Sequence, residues 1–254
     1  MEIYNRSSKS YIDSLLWIKF LVGIKMISSK ITKPAEFIFN NHLHSILLGI
    51  LLGDGNIGSV FRKTLTDRRR FRFGQGLINE PYMLHLLSLF EFTSKEKNLS
   101  YYKNKRGYTG CAFNTRFDTS FNSYYELFYE NKIKIIPKDL NKLFRGVNMG
   151  VFLAYLFMDD GSCHTKSTYN GKELPLGKNL YFHLNNFTRE DVDRFCAYFN
   201  KEHSWSWKQH ATPKQGGSSG SIYIPMKDRQ EFFTLVAPHI IPHFEYKLPI
   251  SFRV

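Results

Sequence analysis

LLGILLGDG spans residues 47–55, and LAYLFMDDG spans residues 153–161. Each segment is an apolar run closed by Asp-Gly, and the two aspartates, Asp54 and Asp160, lie 106 residues apart. A match at this separation is too long for a solenoid repeat and fits a duplicated unit of about 100 residues. We therefore expect two equivalent halves, each beginning at one of these segments.

The residues after the first run predict a mixture of strands and helices. Two strand-like stretches, 57–63 and 70–77, precede a segment whose apolar residues recur at helical spacing from Glu80 to about Lys97. A hairpin over 100–117 follows, and then a helix that we expect an Ile-Ile-Pro sequence to end.

The second half repeats this order. A strand near 162–166, a long loop and the strand 180–187 lead to a helix that begins after Thr188, a typical N-cap residue. A hairpin over 204–226 and a last helix complete this half. The sequence therefore predicts an α+β fold built from a pseudo-twofold duplicated αββαββα repeat.

This pattern divides the chain into an N-terminal extension over 1–42, a first repeat over 43–147 and a second repeat over 148–254. The extension has no counterpart in the second half, and a fusion remnant, a leader and an externally packed helix all stay open for it. Its most apolar stretch, 15–27, contains two lysines and is shorter than the roughly 20 residues of a membrane span. We expect no membrane association and, because the three cysteines are isolated, a reducing compartment.

The charge balance indicates a polyanionic partner. Lys and Arg number 35 against 22 Asp and Glu, which gives a net charge of +13. The excess of basic residues is 8 over 43–147 and only 2 over 148–254. Such a balance favours nucleic acid first and an anionic membrane second.

Alternation within the predicted strands separates an apolar face from a polar one. In RFRF, Arg70 and Arg72 point one way while Phe71 and Phe73 point the other. In SWSWKQH (204–210), the same alternation sets two tryptophans against serine, lysine and histidine. Polar faces of this kind suit a DNA groove, where Arg and Gln read base edges and Lys holds phosphates. We expect the DNA-binding residues to be Arg62, Lys63, Arg68, Arg69, Arg70, Arg72, Gln75, Lys103, Lys105, Arg116, Lys166, His183, Asn185, Ser206, Lys208 and His210.

The two Asp-Gly ends carry the predicted chemistry. The runs before Asp54 and Asp160 are apolar on nearly every side, so both helices must be buried. Burying an acidic side chain at the end of such a helix costs free energy unless the acid is paired or binds a metal. Two acids on neighbouring helices raise each other's pKa unless a cation intervenes. Hard oxygen ligands beside a phosphodiester favour Mg²⁺.

One of the two helices has a bare face. Gly49 and Gly53 are four residues apart, whereas the second run has Tyr155 and Asp159 at the equivalent positions. We expect the two helices to approach closely, with the bulky side of one on the bare side of the other.

The two runs resemble the signature helices of a single-chain LAGLIDADG homing endonuclease, in the intron-encoded subgroup whose second motif reads FMDDG. The resemblance covers about residues 43–250 and is specific in the second motif. It implies two antiparallel β-sheets that form a DNA-binding saddle, with the two LAGLIDADG helices at the interface between the repeats. It also implies a Mg²⁺ cofactor, for which Mn²⁺ or Ca²⁺ can substitute in a crystal.

The resemblance assigns the metal ligands. The last acid of each motif, Asp54 and Asp160, would bind the divalent metals. The backbone carbonyls just before them, at Gly53 and Asp159, would complete the set of ligands.

The resemblance also implies other catalytic residues. A lysine from each half would lie near the scissile phosphates, and the closing segments KIKIIP and FEYKLP offer Lys134 and Lys247, with Lys132 as a rival to Lys134. A polar residue on the second strand of each half would orient water, which gives Gln75 and Asn185. The family usually has Gln at the second of these positions.

The predicted function is site-specific double-strand cleavage of a long DNA target by metal-dependent hydrolysis, which in this family leaves short 3′ overhangs. An RNA-binding group I intron maturase on the same fold, with intron RNA as partner, and a non-catalytic DNA-binding module stay open. The presence of both Asp54 and Asp160 favours a nuclease. We expect a monomer. The richness in Phe, Tyr, Ile, Asn and Lys is typical of a gene of low GC content and suggests an organelle, either mitochondrion or chloroplast.

Overall fold

The computed structural model describes residues 39–59, 68–94, 98–166, 168–169, 172–173, 175–211 and 220–253. The expectations for the N-terminal extension up to residue 38, and for Arg62 and Lys63, lie outside these residues. No helix within the described ranges is long and apolar enough to cross a membrane.

Both halves have the predicted order of elements. The first contains α1 (Asn41–Leu52), β1 (Asn56–Ser59), β2 (Arg69–Gly76), α2 (Glu80–Leu89), β3 (Ser100–Lys103), β4 (Thr109–Asn114), α3 (Ser120–Phe128), β5 (Tyr129–Glu130), β6 (Ile133–Lys134) and the short α4 (Leu140–Leu143). The second contains α5 (Met149–Asp160), β7 (Gly161–His164), β8 (Thr168–Tyr169), β9 (Lys172–Glu173), β10 (Lys178–Phe182), α6 (Arg189–His203), β11 (Lys208–Ala211), β12 (Gly220–Tyr223) and α7 (Met226–Val236). The predicted αββαββα repeat is therefore confirmed.

Each repeat forms a four-stranded antiparallel sheet with the same connectivity. The strand orders are β1-β2-β4-β3 and β7-β10-β12-β11. Phe71 and Phe73 are buried beneath the helices, whereas Arg72 between them is exposed, as the alternation in β2 predicts. Trp205 and Trp207 are also buried on one side.

The two signature helices, α1 and α5, pack directly against each other at the interface between the repeats. A Cβ on Gly49 would lie only 2.6 Å from the carbonyl oxygen of Phe152 and 3.0 Å from Cβ of Tyr155. A Cβ on Gly53 would lie 2.5 Å from Oδ2 of Asp159. The expected packing of a bulky helix on a bare one is confirmed.

Both signature helices begin in the same way. The side chain of Asn40 accepts a hydrogen bond from the amide of Leu43, and that of Asn148 accepts one from the amide of Val151. These are N-caps, which satisfy amides that have no partner within the helix. The hydroxyl of Ser45 also accepts a hydrogen bond from the amide of Asn148 at 2.9 Å, so the two helix starts are joined.

Several element boundaries differ from the sequence prediction. The helix α3 ends at Phe128, well before the Ile-Ile-Pro of 135–137, because Tyr129 is already extended (φ −134°, ψ 129°) and begins β5. Asn131 and Lys132 then adopt left-handed conformations (φ 51° and 68°) that form the turn of the β5–β6 hairpin. The helix α2 ends at Leu89.

The second half differs in two places. Its predicted long loop contains the two-stranded β8–β9 hairpin. The strand predicted to begin at Ser204 begins only at Lys208, because the amides of Ser206 and Trp207 donate to the side chains of Asp228 and Asn200.

Candidate active site

The two signature aspartates meet at the end of the α1–α5 interface. Asp54 follows the last turn of α1 and is exposed, and Asp160 ends α5 and is partly buried. Burial, and then the nearby charge of Asp54, raise the pKa of Asp160 to about 7, while Lys134 and Lys247 act in the opposite direction. The carboxylates of the two repeats are therefore close enough to interact electrostatically within one site.

A lysine from each repeat lies at the end of a signature helix. Nζ of Lys134 donates to the carbonyls on both sides of Asp54, at 2.7 and 2.8 Å. Nζ of Lys247 donates to the carbonyls of Phe157 and Met158, at 3.1 and 2.7 Å. A cation is favourable at the C-terminal end of a helix. Burial lowers the pKa of each lysine to about 8, although the neighbouring aspartates oppose this shift.

The structure distinguishes Lys134 from Lys132, the other candidate for the lysine of the first repeat. Lys132 occupies the left-handed turn between β5 and β6, where its side chain is exposed. Lys134 lies two residues later and is directed at the end of α1. Of the two lysines, only Lys134 contacts this end of the helix.

Gln75 contacts the first aspartate directly. Its Nε2 donates to Oδ2 of Asp54 at 2.5 Å. Gln75 lies near the end of β2, on the same face as the buried Phe71 and Phe73. It therefore projects towards the helix end and away from the polar face of the sheet that carries Arg72.

Within the described residues of the second repeat, no side chain makes an equivalent contact with Asp160. In the first repeat, Arg72, three residues before Gln75, pairs with Asn56, two residues after Asp54. In the second repeat, Tyr181, three residues before Leu184, pairs with Ser162, two residues after Asp160. The buried Leu184 is thus the equivalent of Gln75, and the predicted equivalence of Asn185 is wrong by one position. Oδ1 of Asn185 is buried and has no hydrogen-bond partner within the described ranges.

The side chain of Asp159 has a role that the sequence did not reveal. Its Oδ2 accepts a hydrogen bond from the amide of Asp54 at 3.2 Å, across the repeat interface. Its Oδ1 and the hydroxyl of Tyr82 are both buried; Tyr82 is close enough to affect the pKa of Asp159, but the two groups do not meet hydrogen-bond geometry. Burial, and then the charges of Asp54 and Asp160, hold the pKa of Asp159 well above its usual range.

The donor set suits a hard divalent cation. No group of three or more His, Cys, Asp and Glu in the described part of the chain is arranged to hold a metal. Mg²⁺ does not require such a group, because it commonly binds through one or two carboxylates, waters and substrate phosphates. Burial, and then the charge of Asp54, raise the pKa of Asp160, so a bound cation would favour its ionised form. The Gly53 carbonyl accepts from Lys134 but retains a second lone pair.

The predicted basic side chains of the first sheet do not all lie on its polar face, because Lys103 pairs with Thr109 on the face that carries Cys111. Arg72, Lys103 and Lys105 are exposed. The guanidinium of Arg69 instead lies 3.5 Å from the ring centre of Tyr125 in α3, on the helical side of the sheet. The reason is the strand alternation, which places Arg69 on the face of Phe71 and away from the polar face of the sheet.

Other predicted residues of the first repeat have protein contacts. The guanidinium of Arg70 lies 4.8 Å from the ring centre of Phe117. Arg116 is exposed and donates to the carbonyl of Phe92 at 2.9 Å. Arg68 is partly buried at the start of β2.

The polar face of the second sheet is richer in His and Tyr. His183 contacts the hydroxyls of Ser162 and Ser221, at 2.7 and 3.2 Å. Tyr181 and Tyr223 have ring centres 5.3 Å apart on the same face. Sequence reasoning missed these two tyrosines; alternation from His183 would have found Tyr181, whereas Tyr223 is placed on this face by its pairing with Lys208. Among the predicted residues, Lys166, His183, Lys208 and His210 are exposed, and Ser206 is partly buried.

Two acids from two repeats, each beside a partly buried lysine and each next to an antiparallel sheet, define a duplicated nuclease. Residues 44–232 match the family described as LAGLIDADG DNA endonuclease. The probable intron-encoded endonuclease 1 of Wickerhamomyces canadensis is 31% identical over 205 residues, which is 80% of this chain and 81% of the relative. The chain therefore belongs to the LAGLIDADG DNA endonuclease family.

Other similar proteins agree with this membership. The homing endonuclease I-WcaI, solved bound to its DNA recognition sequence, is 28% identical, with a TM-score of 0.68 and coverage of 91% of this chain and 96% of that chain. The cytochrome b mRNA maturase bI2 of Saccharomyces cerevisiae is 26% identical over 243 residues, which is 91% of this chain but only 52% of the maturase.

Proposed function

We propose that this chain is a site-specific homing endonuclease that hydrolyses both strands of a long DNA target with Mg²⁺, leaving short 3′ overhangs. The observation that carries the proposal is the position of Asp54 and Asp160 at one end of the α1–α5 interface, where the amide of Asp54 donates to Oδ2 of Asp159, the residue before Asp160, at 3.2 Å. When bound, a divalent metal supplies an activated water and neutralises charge on the phosphate.

The residues of the site divide the remaining tasks. Asp54 and Asp160 hold the metals, with the carbonyls of Gly53 and Asp159. Lys134 and Lys247 lie next to these ligands and stabilise negative charge near the scissile phosphates. Gln75 orients water beside Asp54, and Asn185 lies next to the equivalent position in the second repeat.

The proposed substrate is double-stranded DNA, held by the polar faces of both sheets. One chain contains both sheets and both aspartates, which supports a monomer. The proposed repeats are 43–147 and 148–254, and 1–42 form an extension. Relatives that are intron-encoded or act on cytochrome b mRNA support a mitochondrial location.

Intron splicing is the second candidate function. Two matched relatives are cytochrome b mRNA maturases, from Saccharomyces cerevisiae and Debaryomyces hansenii. In this second function, the partner of the chain would be the intron RNA that encodes it.

Selection from a randomised pool of duplex DNA tests the proposal. The protein with Mg²⁺ should enrich one family of cleaved sequences with 3′ overhangs, and the same selection in EDTA should enrich none. Recovery of no cleaved sequence with Mg²⁺ would contradict the endonuclease proposal. Binding of the host intron RNA with no cleavage of DNA would favour the maturase instead.

A further inference from the structure

A series of three hydrogen bonds leads from the second repeat to Asp54. Nε2 of His243 contacts Oδ1 of Asn79 at 3.1 Å. Nδ2 of Asn79 donates to Oε1 of Gln75, also at 3.1 Å. Nε2 of Gln75 then donates to Oδ2 of Asp54 at 2.5 Å. His243 lies near the C-terminal end of the described chain, so the series crosses from one repeat to the other.

The carboxylate fixes the direction of every bond in this series. An ionised Asp54 can only accept, so Gln75 must present its NH₂ group and leave Oε1 facing Asn79. Asn79 must then present its own NH₂ group to Gln75, which leaves its Oδ1 in need of a donor. The ring N–H of His243 is the donor in place.

Among the described residues, the side chain of Asn79 hydrogen-bonds only within this series. It precedes α2 at the N-cap position, yet its side chain makes no capping hydrogen bond. His243 is partly buried, and its ring packs edge-on against Phe244 with centres 4.9 Å apart. The second repeat has Leu184 in place of Gln75, so it cannot build the same series around Asp160.

We propose that Asn79 and His243 are positioning residues for Asp54, acting through Gln75, and that the second repeat thereby completes the first repeat's half of the active site. Asp54 is exposed and needs such support, because a flexible carboxylate binds a metal less well than one held in place. The inference rests on the proposed function, since it assigns Asp54 a metal.

A double-mutant cycle tests whether Asn79 acts on Asp54 through Gln75. Asn79→Ala and His243→Leu should each lower the single-turnover cleavage rate on the selected duplex about 10- to 100-fold, with DNA affinity unchanged. Asn79→Ala should add no further loss in a Gln75→Ala background, because the path is already broken there. His243→Gln retains an N–H donor and should recover most of the rate. Asn141→Ala, on the exposed surface of α4, is the matched control and should cleave like the wild type.

Nuclear magnetic resonance of the metal-free protein tests the geometry without DNA. The neutral ring of His243 should carry its proton on Nε2, and the Gln75 side-chain amide should exchange slowly in the wild type and quickly in Asn79→Ala. Additive losses in the double mutant, wild-type rates in both single mutants, or a proton on Nδ1 would each overturn the inference. If the wild type cleaves no duplex, the proposed function fails while these spectra still decide whether the series forms.

Discussion

The side chain of Asp159 lies directly on the backbone of Gly53, where a Cβ would be 2.5 Å from its Oδ2. The two residues immediately precede the aspartates of the two motifs. The same carboxyl accepts a hydrogen bond from the amide of Asp54 at 3.2 Å. The second motif therefore fixes the backbone of the first next to Asp54, one of the proposed metal ligands.

Gly53→Ala should destabilise the fold by about 1–3 kcal/mol, because the added methyl group overlaps Asp159 in a closely packed interface. Urea unfolding measures the change. Gly76→Ala is the matched control, since a Cβ there would meet nothing within 4 Å, and its unfolding free energy should stay close to that of the wild type. Equal stability of both variants would contradict the packing of α1 on α5.

Asp160→Asn should stabilise the metal-free protein at pH 7.5. The pKa of Asp160 is about 7 in the folded protein against an ordinary value of 3.8. Between these pH values the folded state binds more protons than the unfolded state, so the free energy of unfolding falls as the pH rises from about 4 to 7. The gain is a few kcal/mol, at about 1.4 kcal/mol for each pKa unit.

Thermal unfolding in EDTA at pH 7.5 and pH 4 measures this effect. The melting temperature of Asp160→Asn should exceed that of the wild type at pH 7.5 and match it closely at pH 4. The same difference at both pH values would show that the charge of Asp160 is not the cause.

Lys134→Met should lower the cleavage rate about 100-fold or more, because it removes a charged donor from the end of α1. Lys132→Met should retain the rate, since Lys132 is exposed in the β5–β6 turn. The pKa of Lys134 is about 8, so the wild-type rate should also decline above that pH as the ammonium loses its proton. Single-turnover assays test both points, and an active Lys134→Met protein would remove this lysine from the mechanism.

DNA affinity should fall steeply with salt concentration, with a log–log slope of about 0.9 for each phosphate contact. Arg72→Ala and Lys208→Ala should each reduce the slope by about 1, because both side chains are exposed on the polar faces of the sheets. Arg69→Ala should leave the slope unchanged, since its guanidinium lies over Tyr125. Fluorescence anisotropy from 50 to 300 mM KCl measures this, and a flat dependence would argue against basic DNA-binding faces.

Much of the fold follows from the sequence because its signals are periodic or repeated. The two apolar runs ending at Asp54 and Asp160 gave the duplication, and alternation around Phe71 and Phe73 gave the buried face of β2. The end of α3 did not follow, because the extended conformation of Tyr129 leaves no mark in the hydrophobic pattern.

The site itself was only partly predictable. Asp54, Lys134 and Gln75 were all expected, and the structure brings them together. The contact of Asp159 with the amide of Asp54 depends on how closely two helices approach, which one sequence does not specify. Asn185 was assigned as the equivalent of Gln75 because both side chains are polar. The strand register instead makes Leu184 the equivalent residue.

The most direct measurement compares the wild type with Asp54→Asn and Asp160→Asn on the selected duplex, with Mg²⁺ present. Each substitution removes the charge of a proposed metal ligand while leaving a side chain of similar size and the polar sheet faces intact. Both variants should bind the duplex as tightly as the wild type and cut neither strand. Cleavage of the duplex by both variants at the wild-type rate would show that these two aspartates do not hold the catalytic metals.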